Sequence, residues 1–294
     1  MKSKILITGA AGKTGLTLAE QLADTKVPFR ALVHSALKEP LLTRWTTDIV
    51  VGDYGDRAAM ERAFDGIERA FLVSPASPDQ VKVQTALVDI AKKKGVKHIV
   101  KLSALGTSSE SPVGLMRAHA EIEEHIRKSG IAWTFLHPHY FMENLLTNAE
   151  SVIRDRAIYS PLGDATISAI SIQDIAAVAA EVLTGTGHEG RTYTLTGPDS
   201  IGYADIASIL GKVIDKTVLY VPVTYEATRH GMIQSGMPEW LAEDLVCLMK
   251  TWVEDKGGRV THDVEMIVER KPISLTEFFE CHKDLFSGKH GKAA

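Results

Sequence analysis

The residues best suited to chemistry come early. Thr8-Gly9-Ala10-Ala11-Gly12-Lys13-Thr14-Gly15 directly follows the apolar run Ile5-Leu6-Ile7. Gly9 permits a tight turn, Gly12 lets the backbone approach a diphosphate, and Gly15 lets the next helix pack close on the strand. That helix presents unbonded N–H groups and the positive end of its dipole, which suit phosphate. The spacing points to a dinucleotide held by Thr8, Gly9, Ala11, Gly12, Lys13, Thr14 and Gly15. The plainer alternative is a turn whose glycines serve packing only. Gly12-Lys13-Thr14 also raises a nucleoside-triphosphatase loop, but that loop needs a glycine five residues before Gly12, where this chain has Ile7.

The next chemistry lies at the end of the second apolar run, Phe29 to Val33. It reads His34-Ser35-Ala36-Leu37-Lys38, with no acid before Glu39. An acid there would take the ribose 2′-hydroxyl of NAD. His34, Ser35 and Lys38 suit a 2′-phosphate instead, so NADP(H) is favoured over NAD(H); the alternative is a solvated loop. Asp53, with Tyr54 beside it, follows the third run and is expected at the adenine, unless Gly52-Asp53-Tyr54 only forms a turn.

Positioning these residues requires strands and helices in alternation, and the pattern supplies them. Further apolar runs at Ile49–Val51, Ala70–Val73, His98–Leu102 and Trp133–Leu136 are separated by helical patterns at Thr14–Ala23, Arg57–Phe64, Val81–Lys94 and Pro112–Lys128. Short continuous apolar runs between helices imply parallel strands covered on both faces. The expected class is α/β: a Rossmann-type doubly wound parallel sheet with a smaller, mainly helical C-terminal substrate lobe. We expect residues 1–155 to form the dinucleotide domain, with 168–184 returning to it, and 156–294 to form the lobe. In the lobe, Thr224 to Asp255 reads as helical with Pro238 at a first helical position. Ser274 and Glu277 read as a capping box, and the tail from Ser287 to Ala294 is expected to fray.

Composition excludes several classes. The net charge of −4 gives no basic surplus to neutralise a nucleic-acid backbone. No apolar stretch is long enough for a membrane span, and Met1-Lys2-Ser3-Lys4 leads into a strand rather than a signal peptide. Cys247 and Cys281 form no C-x-x-C pair, which suits a reducing cytoplasm. His137-x-His139 lacks a third ligand at metal spacing, so no metal is expected. Neither cysteine lies in a nucleophile motif, and there is no G-x-S-x-G elbow.

Several segments together resemble a known family. The G-x-x-G-x-x-G turn, Gly52-Asp53-Tyr54, Gly95-Val96-Lys97-His98-Ile99-Val100 and Ser129-Gly130-Ile131-Ala132-Trp133-Thr134-Phe135-Leu136 are similar to the NmrA-like branch of the atypical short-chain dehydrogenases/reductases. Asp174-Ile175-Ala176, Tyr193-Thr194-Leu195-Thr196-Gly197-Pro198 and Gly236-Met237-Pro238-Glu239 fit the same pattern, so the resemblance spans residues 3 to 286. It implies an NAD(P)-binding fold and leaves the activity open between reductases of quinones or triphenylmethane dyes and redox sensors that do not turn over. The cofactor would cross the strand carboxyl ends, flanked by Ser74, Pro75, Ser103 and Pro138.

Two departures from the family pattern bear on chemistry. With Glu123 as anchor, His119 stands where related short-chain dehydrogenases carry the lysine of Tyr-x3-Lys, and Leu115 stands where they carry the tyrosine. The family's Leu-Arg-Pro is here Leu136-His137-Pro138. A ketone reductase needs a positioned acid, whereas a quinone, an enone or a cationic dye spreads or cancels the charge that hydride delivers. The expected function is therefore NAD(P)H-dependent hydride transfer to such a conjugated acceptor; the alternative is a non-catalytic NAD(P)-binding redox sensor. A lyase or isomerase with a retained nucleotide is a third, weaker reading. His119 is expected to bind the ribose, position substrate or supply a proton, its free pKa near 6.5 suiting the last role. Tyr140, Phe141, Asn144 and Trp240 are expected to receive an aromatic or quinonoid substrate, and Met232, Met237, Met249 and Trp252 read as a soft lid or as helix packing. A homodimer or protein partner stays open.

Overall fold

The computed structural model describes residues 4–254 and 258–288. The first half runs β1 (Ile5–Ile7), α1 (Lys13–Asp24), β2 (Phe29–Val33), β3 (Ile49–Val51), α2 (Arg57–Ala63), β4 (Arg69–Leu72), α3 (Gln80–Lys93), β5 (His98–Leu102), α4 (Gly114–Ser129) and β6 (Ala132–Pro138). The chain continues through α5 (Ala149–Asp155), β7 (Ala157–Ser160), β8 (Thr166–Ile167), α6 (Ile172–Thr184) and β9 (Arg191–Leu195). It ends with β10 (Ile201–Gly202), α7 (Tyr203–Ile214), β11 (Leu219–Pro222), α8 (Tyr225–Gln234), α9 (Glu239–Glu254), α10 (Asp263–Val268) and α11 (Leu275–Ser287). Two compact units result. One comprises the chain up to Pro138, Ile172–Leu195 and Met266–Glu269; the other comprises His139–Ser171, Thr196–Glu265 and the chain from Arg270 on.

The first unit is built on a seven-stranded sheet of order β3-β2-β1-β4-β5-β6-β9, parallel throughout. Each strand is an apolar run because both faces are covered. Leu6, Leu32, Ala70, Leu72, Ile99 and Phe135 meet Ala59 and Met60 of α2, Leu87 and Val88 of α3, and Ile122 and Ile126 of α4 in one continuous core. α6 packs against α1 and against β4, β5 and β6, while α1 also touches β2. This is the doubly wound Rossmann arrangement. Arg191–Leu195 closes this edge of the sheet, and its register with β6 runs from Thr134↔Arg191 to Pro138↔Leu195.

The second unit has its own core, in which Ile206, Leu210 and Ile214 of α7 meet Phe278, Phe279 and Phe286 of α11. It is mainly helical, as expected, and also holds two short sheets: β8 with β10, antiparallel, and β7 with β11, parallel. The helical pattern from Thr224 to Asp255 divides into α8 and α9. Gly236 takes φ +91 between them, and Pro238 has no N–H to continue a ladder. Pro238 therefore precedes α9 instead of occupying its first position, and its carbonyl accepts Leu241 N and Ala242 N. Asp255 lies outside the described residues. The capping box is formed: Ser274 Oγ accepts Glu277 N at 3.3 Å, and Glu277 Oε2 accepts Ser274 N at 2.8 Å. Of the tail expected to fray, 289–294 lie outside the described residues. Among the described residues, no helix is long and apolar enough to cross a membrane.

Candidate active site

The turn after β1 is held by its own neighbours. Thr8 Oγ1 accepts Val73 N at 2.8 Å and donates to Val73 O at 2.7 Å, lacing the end of β1 to the residue after β4. Gly9 adopts φ +57, the left-handed region that glycine enters without strain, and its carbonyl accepts Gly12 N at 2.9 Å. A Cβ on Gly15 would fall 2.4 Å from Gly9 O and 2.8 Å from Ala10 Cα, so only glycine fits there. Gly12 is the extended N-cap of α1; no side chain caps that end, and the first turn holds no acid. The opening amides of α1 thus keep their hydrogen-bonding capacity. Packing explains Gly15, and packing leaves the phosphate reading of those amides intact. Gly12 and Lys13 are exposed, Ala11 is half-buried, and Thr14 is buried.

The other expected cofactor residues follow the carboxyl ends of neighbouring parallel strands. His34 and Lys38 are exposed after β2, and Ser35 Oγ is occupied by Leu37 N at 3.3 Å. Asp53 is exposed after β3, and its Oδ1 accepts Gly55 N at 2.9 Å, so its carboxylate does shape the turn. Tyr54 packs on the core beside it, its OH 3.5 Å from Val73 O, and burial pushes its phenol up to about 12. After β4, Ser74 Oγ accepts Gln84 Nε2 at 2.9 Å, and Pro75 is exposed. Ser103 and Pro138, at the ends of β5 and β6, are buried.

Between β5, α4 and β6 lies a buried polar network. Alternation along β5 turns Ile99, Lys101 and Ser103 to the face that α4 covers. On α4, His119 and Glu123 are one turn apart and so share the helix face that carries Ile122 and Ile126. Lys101 Nζ is 3.0 Å from His119 Nδ1 and donates to Leu102 O at 3.0 Å. Glu123 Oε1 accepts Ser103 Oγ at 2.5 Å and His137 Nε2 at 2.7 Å, while Arg127 Nη2 reaches its Oε2 at 3.1 Å. Arg127 also lies over the stacked rings of Trp133 and Phe135, 5.2 and 4.8 Å from their centroids.

Burial and neighbouring charge set the protonation states here. Burial lowers the Lys101 ammonium to about 7, opposed by the Glu123 charge. His119 falls well below 6.5, first from burial and then from the charges of Lys101 and His137. Burial alone would raise Glu123, but the bonds from His137 and Ser103 and the charge of Lys101 hold it below the ordinary carboxylate value. The expectation of His119 as an acid of ordinary pKa is therefore corrected: near neutrality its ring is uncharged.

In the second unit Tyr140 and Phe141 open the connection after β6. Tyr140 OH accepts Tyr203 OH at 3.4 Å, and its ring meets Trp252 edge-on at 5.8 Å. Burial, then the charge and hydroxyl of Tyr203, push its phenol well above 10, so it is a neutral hydroxyl. Phe141 pairs with Ile170 in an isolated bridge, and Asn144 is exposed in the turn after it. Trp240 is half-buried in the first turn of α9. Trp252 and Met249 pack on the second core, which favours the packing reading for both. His139 stacks on Trp252 at 5.3 Å and its Nδ1 accepts Tyr140 N, while His137 serves Glu123, so the two histidines of the H-x-H pair have separate partners.

The sequence reading missed Lys101. Its signal was available: a lysine within His98-Ile99-Val100-Lys101-Leu102, a run otherwise fit for burial on both faces, must bury its charge beside a partner.

The comparisons with known proteins point to one family. The model of the NmrA-like family matches residues 1–280. An NAD(P)H azoreductase from Xenophilus azovorans is 35% identical over 282 residues, which is 96% of this chain and 99% of that one. An NADPH-dependent quinone oxidoreductase from Escherichia coli, solved with NADPH, superposes with a TM-score of 0.86 at 28% identity, covering 95% of this chain and 99% of that one. The triphenylmethane reductase of Citrobacter sp., solved with NADP(H), gives 0.83 at 26% identity, covering 93% and 98%.

Proposed function

The chain belongs to the NmrA-like family and is an NAD(P)H-dependent oxidoreductase, and we propose that it prefers NADPH and delivers hydride to a conjugated acceptor such as a quinone, an enone or a triphenylmethane-type dye. The observation that carries this reading is the strand–turn–helix at Thr8 to Gly15, with the first amides of α1 uncapped and no acid beside them. That cradle fits a diphosphate. When bound, the dinucleotide supplies the hydride.

The chain's own residues do the rest. Gly9, Ala11, Gly12 and Lys13 bind the diphosphate, with Thr8, Thr14 and Gly15 holding the turn. His34 and Lys38, exposed and with no acid between them, receive the 2′-phosphate. Tyr54, Ser74, Pro75, Ser103 and Pro138 line the cofactor's path along the sheet edge, and Asp53 orders the turn there. His119, uncharged, offers a ring N–H as a donor. Tyr140, a neutral phenol, orients a flat acceptor with Phe141, Asn144 and Trp240. Leu115 in place of a tyrosine removes the usual phenol acid at that position, which favours an acceptor whose added charge is delocalised or cancelled. Both cysteines are unpaired, and we place the protein in the cytoplasm.

The test mixes purified protein with NADPH or NADH and a panel of quinones, enones, azo compounds and triphenylmethane dyes. Consumption of reduced nicotinamide, faster with NADPH, is expected with at least one acceptor. Tight NADPH binding without turnover on any of them would overturn the reading in favour of a redox sensor.

A further inference from the structure

Lys101 has no exposed surface at all. A buried ammonium is unfavourable unless every donor finds a partner, and an apolar side chain of equal length would fill the same space at no electrostatic cost. Fold stability therefore does not explain this lysine. Its bonds do point somewhere. The charged Lys101 ammonium can only donate, so opposite it the His119 ring nitrogen Nδ1 accepts. The single proton of the neutral ring then sits on Nε2. Among the described residues, His119 Nε2 has no hydrogen-bond partner, yet it is not one of the sealed, unpartnered polar atoms. The residue is half-buried, so Nε2 keeps some exposed surface. The charged and titratable groups acting on the pair are Glu123 of α4 and His137 of β6.

We propose that Lys101 is the positioning residue of the reduction: it holds His119 in the Nε2–H form and replaces the proton that His119 gives to a reduced quinone. The proposal rests on the reductase reading. A quinone that has gained hydride carries the new electron pair and lacks one proton of the hydroquinone. The Nε2–H bond breaks and an O–H bond forms on the acceptor. Nδ1 takes a proton from the Lys101 ammonium as that N–H bond breaks, so the ring never carries a full charge and Lys101 is left as a neutral amine. After release of product, a solvent proton enters at Nε2 and the Nδ1 proton returns to Nζ. No electrons move in the relay. A cationic triphenylmethane dye is neutralised by hydride alone and needs no proton, so it bypasses Lys101.

That difference supplies the test. Lys101→Met keeps the length and removes the donor. It is expected to lower kcat for a quinone by about tenfold or more with KM little changed, and to leave kcat for a cationic dye within about twofold. The wild-type inflection of quinone kcat near neutral pH is expected to vanish in the variant. Independently of turnover, nitrogen-detected NMR of the cofactor-free wild-type protein should show His119 as the neutral Nε2–H tautomer at pH 7, and Lys101→Met should lose that preference. Thermal melting checks that the variant folds. A folded variant with an unchanged quinone rate, or with equal loss on quinone and dye, overturns the relay. A wild-type His119 protonated on Nδ1 overturns it even if the variant does not fold. If the wild type reduces no acceptor at all, the reductase reading falls and the relay with it, whereas the NMR measurement still decides whether Lys101 sets the tautomer.

Discussion

Glu123 Oε1 and His137 Nε2 meet at 2.7 Å, both side chains almost wholly out of solvent. The same carboxylate takes Ser103 and Arg127, so one acid ties α4 to the loop after β5 and to β6. The histidine that replaces the family's arginine in Leu136-His137-Pro138 thus keeps a hydrogen-bond donor for a buried acid.

Glu123→Gln should destabilise the protein by about 3 kcal/mol, because three donors lose a charged acceptor in a buried site. Denaturant titration at neutral pH measures this. The folded carboxyl is held below its free value, so its contribution is complete above the ordinary carboxylate range and is lost as pH falls through the lowered folded value. The stability gap between wild type and variant should therefore narrow on acidification.

His98 gives a second pH dependence, at the opposite end of β5. Its Nε2 is 2.9 Å from Thr134 Oγ1, its Nδ1 is buried without a partner, and burial lowers the ring to about 4, with Glu189 opposing and Arg69 and His188 assisting. The unfolded chain binds a proton first, at about 6.5. Stability should hold above that pH and fall by up to about 3 kcal/mol as pH drops toward 4. Unfolding midpoints measured from pH 7 to 4 should show a shallower decline in His98→Asn; an equal decline in both proteins counts against the assignment.

Gly15→Ala should lower stability by about 1–3 kcal/mol through the clash with Gly9 O. The same displacement of α1 from the turn should weaken NADPH binding, read by fluorescence titration beside the melting curve. A variant that melts like wild type and binds NADPH normally would contradict the close approach described here.

His34→Asp combined with Lys38→Ala should shift the ratio of kcat/KM for NADPH over NADH by about tenfold or more toward NADH, since an acid favours the ribose 2′-hydroxyl and repels a 2′-phosphate. Steady-state kinetics with both cofactors decide it. An unchanged ratio would place the 2′-phosphate elsewhere.

The sheet was largely legible because parallel strands buried on both faces must be continuous apolar runs, as Phe29–Val33 and His98–Leu102 are. The phosphate turn was legible because its glycines have separate steric reasons. What stayed hidden depends on distant pairing. β8 and β10 have two residues each, too few for any period to show. At the site, Glu123 served only as an alignment anchor, and its bond to His137 emerges only when α4 packs beside β6. His119 looked like an ordinary histidine because nothing in its neighbourhood along the chain announces Lys101, eighteen residues earlier.

The bare first turn of α1 has a thermodynamic corollary. A nucleotide that binds this folded turn and not the unfolded chain adds its binding energy to the stability of the fold. The protein's melting point should then climb with the logarithm of free NADPH, by about 2.7 kcal/mol of added stability at a hundredfold excess over Kd. In a cell whose reduced nucleotide pool collapses, the population open to proteases would rise before any catalytic residue is touched.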